Sequence, residues 1–159
     1  MNRLVLGLVA ILLGLFAAAA DAFEIKGYTP GMSLTSAIIK DCEAIPDADS
    51  GVPGYRCQTT LGGDQAVLRL VVFDEQLVAA IWTVENGNFR AMLDALSEKF
   101  GHPRQSNRYI EAYNWHEGRQ SLTIKQNSVE RKRYSVLLVD FNLYDRAKAP
   151  QKEKAKKDL

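Results

Sequence analysis

Leu77-Val-Ala-Ala-Ile-Trp-Thr-Val84, followed after four residues by Phe89-Arg-Ala-Met-Leu-Asp-Ala-Leu-Ser-Glu-Lys-Phe100, sets the fold class. In the first stretch Leu77, Ala79 and Ile81 alternate with Val78, Ala80, Trp82 and Val84. A strand that is apolar on both faces belongs in the middle of a sheet, covered from both sides. The second stretch changes period from two to 3.6. Phe89, Met92, Leu93, Leu96 and Phe100 make one stripe; Asn88 can cap the first turn, Gly101 suits the left-handed exit, and Pro103 bars continuation. The spacing predicts a helix over residues 89–100, next to a central strand.

Working outward, Tyr55 to Thr60 and Ala66 to Phe73 read as strands, separated by Leu61-Gly62-Gly63-Asp64 and turned by Asp74-Glu75. On the C-terminal side Ile110 to Trp115, Ser121 to Gln126 and Tyr134 to Phe141 read as three more strands. His116-Glu117-Gly118-Arg119 supplies one turn, and Asn127 to Arg133 is a polar connection. Upstream, Ser33 followed by Leu34, Ala37, Ile38 and Cys42 suggests a short helix from Leu34 to about Asp41. The run Pro46 to Gly54 reads as an irregular loop. The order helix, three strands, helix, three strands predicts an α+β domain: an antiparallel sheet with two helices on one face and an α-β-β-β pseudo-repeat. The opposite face is then at least partly open.

The N-terminus reads as an export leader. Arg3 precedes an apolar run from Leu4 to Phe16, then Ala17 to Ala20 and the small-residue motif Ala20-Asp21-Ala22. Cleavage between Ala22 and Phe23 is expected. The alternative is a retained anchor, but Leu4 to Ala20 is only 17 residues long, the short end of the ~17–25 that a spanning helix needs. The chain thus divides into a signal peptide at 1–22, one domain at 23–144 and a basic, disordered tail at 145–159. Export places it in the periplasm or outside the cell. There the lone pair Cys42 and Cys57 is most simply one disulfide, because a redox pair normally has C-x-x-C spacing.

With 20 basic and 19 acidic residues, the formal net charge of +1 gives no argument for nucleic acid. No glycine loop, nucleophile elbow or metal-ligand spacing stands out, so neither enzyme activity nor a cofactor is expected. His102 and His116 read as separate turn residues. Asp94 and Glu98 form an exposed like-charge pair one helical turn apart. Tyr109, Tyr113, Trp115, Trp82 and Tyr134 form an aromatic set, and Tyr113, Trp115 and Trp82 are candidates for a partner surface on the open face. Their alternative role is core packing. Lys148, Lys152, Lys154, Lys156 and Lys157, with Arg131-Lys132-Arg133, offer only weak grounds for membrane contact.

Gly31-Met32-Ser33-Leu34, the run Ala95 to Pro103, and Tyr113-Asn114-Trp115 together resemble small bacterial envelope domains of the helix-plus-three-strand type. Such domains include those resembling the outer-membrane assembly lipoprotein fold or the tandem-repeat β-lactamase inhibitor proteins. The resemblance implies a binding or inhibitory role; the lipidated cysteine of such lipoproteins is missing here. The expected function is a periplasmic or secreted, non-enzymatic binding module with a protein partner in the envelope. The alternatives are an envelope structural factor held by its basic tail, and a small hydrolase.

Overall fold

A computed structural model describes residues 22–49, 51–107 and 110–157. The expected leader therefore lies outside the described residues up to Asp21. Eight strands and two helices follow in the order β1 (Cys42–Asp49), β2 (Val52–Leu61), β3 (Asp64–Phe73), β4 (Gln76–Val84), α1 (Phe89–Phe100), β5 (Arg104–Asn107), β6 (Ala112–Glu117), β7 (Gln120–Gln126), β8 (Tyr134–Asp140) and α2 (Phe141–Lys157).

All eight strands form one antiparallel sheet ordered β1-β2-β3-β4-β8-β7-β6-β5. Two meanders, β1–β4 and β5–β8, thus meet along β4 and β8. Sequence placed β4 centrally because it is apolar on both faces, and there it sits: Leu77, Val78, Ala80, Trp82 and Val84 are fully buried.

The fold class needs correction: this is a sheet-dominant fold, and the α-β-β-β pseudo-repeat with two helices on one face is not what forms. Residues 34–41 make turns in place of a helix. The backbone beside them is claimed by β4: Gly31 N–H donates to Leu77 O, Leu77 N–H to Met32 O, and Leu34 N–H to Glu75 O. Ser33 bridges Gln76. That slot is free because β8 pairs with β4 only from Ala79 onward. Eight residues rich in Thr, Ser and Ile make a poor isolated helix, and the available pairing wins.

The run expected as a loop is instead the β1–β2 hairpin. Pairing jumps from Ile45↔Gly54 to Asp49↔Val52, and both Pro46 and Pro53 fall in that gap, where no ladder N–H is required of them. The Asp47 carboxylate accepts from Gly51 N–H and closes the turn. Gly54 is obligatory, since a Cβ there would strike the Leu70 carbonyl oxygen. Cys42 and Cys57 face each other in this ladder and are joined by a disulfide, Cα–Cα 4.4 Å.

The helices pack on opposite faces. Phe89, Met92, Leu93 and Leu96 of α1 join Leu68, Leu70, Ala80, Trp82, Val136 and Leu138 in the larger core. Val71, Ala79 and Val139 point the other way, as alternation requires, and meet Leu143 and Ala147 of α2; Val78 joins them because the β3–β4 register shifts beside it. α1 matches the sequence reading closely: Asn88 Oδ1 accepts from Ala91 N–H at 3.1 Å, and Gly101 exits with φ 81°.

The lysine-rich segment expected as a disordered tail is helical as far as Lys157. Asp140 Oδ1 caps it by accepting from Leu143 N–H at 3.1 Å. Tyr144 donates to Asp49 at 2.8 Å and Arg146 pairs with Asp74 at 3.4 Å, so α2 is strapped to two hairpin ends. The short apolar stripe Leu143, Ala147 was outweighed in sequence by the charge around it.

Candidate binding surface

The aromatic residues expected at a partner surface are mostly interior. Trp82 is 0 % and Trp115 5 % exposed; Tyr113 is half-buried and packs against the same core. Trp115 Nε1 donates to Gly101 O at 2.7 Å and ties β6 to the end of α1. Tyr28 meets Trp82 edge-on, and Phe89 lies 6.3 Å from Tyr113. Their packing role follows from β4 and β6 both turning these side chains toward α1. Tyr109 falls outside the described residues.

His102 and His116, read separately in sequence, are brought to the rim of one cleft of about 270 Å³ that also contains Phe23, Arg104, Asn114 and Glu117. His116 stacks on Phe141 at 6.3 Å. Among the described residues no group of three or more His, Cys, Asp or Glu is placed to hold a metal ion. Asp94 and Glu98 are exposed on α1. In α2, Lys152 and Lys156 pair with Asp145 and Glu153, and Lys148 lies over the Tyr144 ring.

Two buried polar groups are notable. Asp140, 0 % exposed, has Arg119 Nε 2.8 Å from Oδ2, although the alignment is not that of a hydrogen bond. The Tyr134 hydroxyl has no hydrogen-bond partner among the described residues. Burial, with the Asp64 carboxylate nearby, pushes its pKa up to about 12. Gly87 lets the chain pass this ring and Asp64, because a Cβ there would touch both.

A further feature that sequence could not place is on the α2 side of the sheet. The strand registers define successive rows across this face. One row, Gly54↔Val71 and Ala79↔Val139, lies in the α2 core. The next runs Glu43↔Arg56, Arg56↔Arg69, Arg69↔Ile81, Ile81↔Leu137, Leu137↔Thr123 and Thr123↔Asn114. A third runs Gln58↔Val67, Val67↔Thr83, Thr83↔Ser135 and Ser135↔Lys125. In these two rows Glu43, Arg56, Gln58 and Lys125 are exposed, whereas Val67, Arg69, Ile81, Thr83, Asn114, Thr123, Ser135 and Leu137 are half-exposed. Ile81 and Leu137 still touch the α2 cluster at its margin. An apolar centre of Val67, Ile81 and Leu137 is therefore bordered by Arg, Gln, Thr, Ser and Lys. A shallow hollow of about 460 Å³, lined by Gln58, Gln65, Val67, Thr83 and Glu85 among others, lies at one end.

The closed disulfide is compatible with a protein of an oxidising compartment, and among the described residues no helix is long and apolar enough to cross a membrane. Comparison with protein families, characterised proteins and solved structures found no match to the chain.

Proposed function

We propose that this protein is an exported, non-catalytic binding module that docks a partner protein on the uncovered half of the α2 side of its sheet. One observation carries the reading: a sheet face with an apolar centre and polar border that α2 reaches only at its margin, beside Ile81 and Leu137. Protein interfaces share this layout, with charge depleted at the centre and polar groups at the rim. The backbone ladder holds the surface rigid, so little ordering cost opposes docking. Its flatness suits another protein surface better than a small molecule, which needs a concave pocket. Export rests on the leader-like N-terminus, with cleavage between Ala22 and Phe23, and on the disulfide.

The competing roles are less well supported. A tail-tethered structural factor would need free basic residues, and in α2 Lys152 and Lys156 are engaged by Asp145 and Glu153. A hydrolase would need a nucleophile beside its base, and among the described residues the cleft that joins His102 and His116 is lined by neither serine nor cysteine.

Photo-crosslinking residues at Thr83, Thr123 and Ser135, compared with Asp94 on the exposed side of α1, test the proposal in the native compartment. Discrete protein adducts from the sheet positions alone are expected. Equal adducts from Asp94, or none from the sheet, would refute docking on this face.

A further inference from the structure

We infer, building on that docking reading, that the partner presents neighbouring carboxylates and that Arg56 and Arg69 receive them. The two arginines are direct cross-strand partners in the β2–β3 ladder and point to the same face. Side chains so opposed have Cβ atoms about 4.5–5.5 Å apart, and like charges at that spacing destabilise a sheet. A fold gains nothing by itself from this arrangement.

No ion pair among the described residues relieves it. The ion pairs use Arg90, Arg119, Arg133, Arg146, Lys152 and Lys156, and neither Arg56 nor Arg69 is among them. Glu43 stands opposite Arg56 on the outer strand β1, so the ladder Glu43–Arg56–Arg69 keeps one positive charge in excess. Glu85, at the end of the hollow, is engaged by Arg133 at 3.3 Å. Lys125, on β7, adds a further cation outside the ion pairs.

The geometry also selects the ligand chemistry. Guanidinium groups are planar forks that bind carboxylates in two-bonded fashion and are weakly hydrated, so they tolerate burial in an interface. Arg69 is half-buried and faces Ile81 across β3–β4, so its charge lies at the border of the apolar centre. Two adjacent forks match two carboxylates about 5–6 Å apart, the spacing of acidic residues one turn apart on a helix. The surface is therefore read as a receiver for an acidic face of a protein partner.

The test uses the disulfide-closed protein and a fluorescent ten-residue oligoglutamate as probe, followed by anisotropy. Saturable binding that weakens as salt is raised is expected. Arg56→Gln and Arg69→Gln should each weaken it by about tenfold, the effect of losing one charge-assisted contact. Arg90→Gln, on α1, should leave it unchanged. Arg69→Thr should also raise the thermal midpoint, because it removes the like-charge opposition. Absence of saturable binding, or binding indifferent to both arginine variants, would overturn the inference. So would arginine-dependent binding to phosphatidylglycerol vesicles without binding to oligoglutamate. If oligoglutamate fails while crosslinks from Thr83 persist, the acidic partner is refuted and docking stands. If both fail, the docking reading falls as well.

Discussion

Replacing Tyr134 by Phe should stabilise the protein, and by more at high pH. The ring is 1 % exposed and lies 6.2 Å from Phe89, edge to face, so Phe keeps its packing. The hydroxyl is buried without a partner among the described residues. An unsatisfied buried polar group costs about 1–3 kcal/mol, so a gain of about 1 kcal/mol at pH 7 is expected. The alkaline arm follows from linkage. The folded pKa of about 12 lies above the ordinary tyrosine value of 10.0, so the folded state holds its proton longer than the unfolded state does. Titration of Tyr134 therefore leaves stability unchanged below pH 10 and erodes it as pH rises from 10 toward 12. By pH 11 the wild type should have lost on the order of 1 kcal/mol relative to the variant, for a total difference of roughly 2 kcal/mol. Urea titrations of both proteins at pH 7, 9, 10 and 11 measure this directly. Taking the difference between the two proteins cancels the tyrosines they share, including Tyr28 and Tyr144, whose pKa values burial also raises. A variant less stable than wild type at pH 7, or a difference flat with pH, would refute the reasoning.

Other substitutions probe the remaining supports. Leu96→Ala, at a core position 6 % exposed, should cost about 2–5 kcal/mol in urea unfolding; a loss below 1 kcal/mol would mean α1 is not docked as described. Replacing Cys42 and Cys57 by Ala should lower stability by about 3 kcal/mol, the chain-entropy value for partners 15 residues apart. Native protein that labels readily with a thiol reagent would contradict the bridge. Arg119→Ala leaves the Asp140 carboxylate, 0 % exposed, without its cation and should cost about 1–3 kcal/mol. Arg90→Ala, from an exposed pair, should change stability by less than about 1 kcal/mol. Phe23→Ala should cost about 3–5 kcal/mol: the ring is 4 % exposed against Phe100, and its backbone N–H donates to the buried Gln120 side chain at 3.0 Å.

The features legible in sequence are those written in neighbouring residues. Helix α1 carries its cap, stripe and stop within residues 88–103, and short-range geometry reads all three the same way. Strand β4 announces its central place through apolar residues on both faces. The hairpins at Gly62-Gly63, Asp74-Glu75 and Gly118 follow from turn chemistry, with positive φ at all five positions. The cysteine pair follows from count and compartment.

Sequence misled where a weak local signal competed with a distant partner. Residues 31–34 look like a helix start, yet an unpaired stretch of β4 takes their backbone groups. Pro46 and Pro53 look like loop residues, yet an edge-strand irregularity accommodates both. Residues 145–159 look like a solvated tail, and Phe141 like the end of a strand, until a second apolar sheet face gives Leu143 and Ala147 of α2 somewhere to dock. The candidate surface is the extreme case. Arg56 and Arg69 are 13 positions apart, and neither carries any mark of the other until the β2–β3 register sets them side by side. Local propensity and turn chemistry act over a few residues and could be read from the chain alone. Register, face and burial arise from long-range pairing, and only the folded sheet decided them.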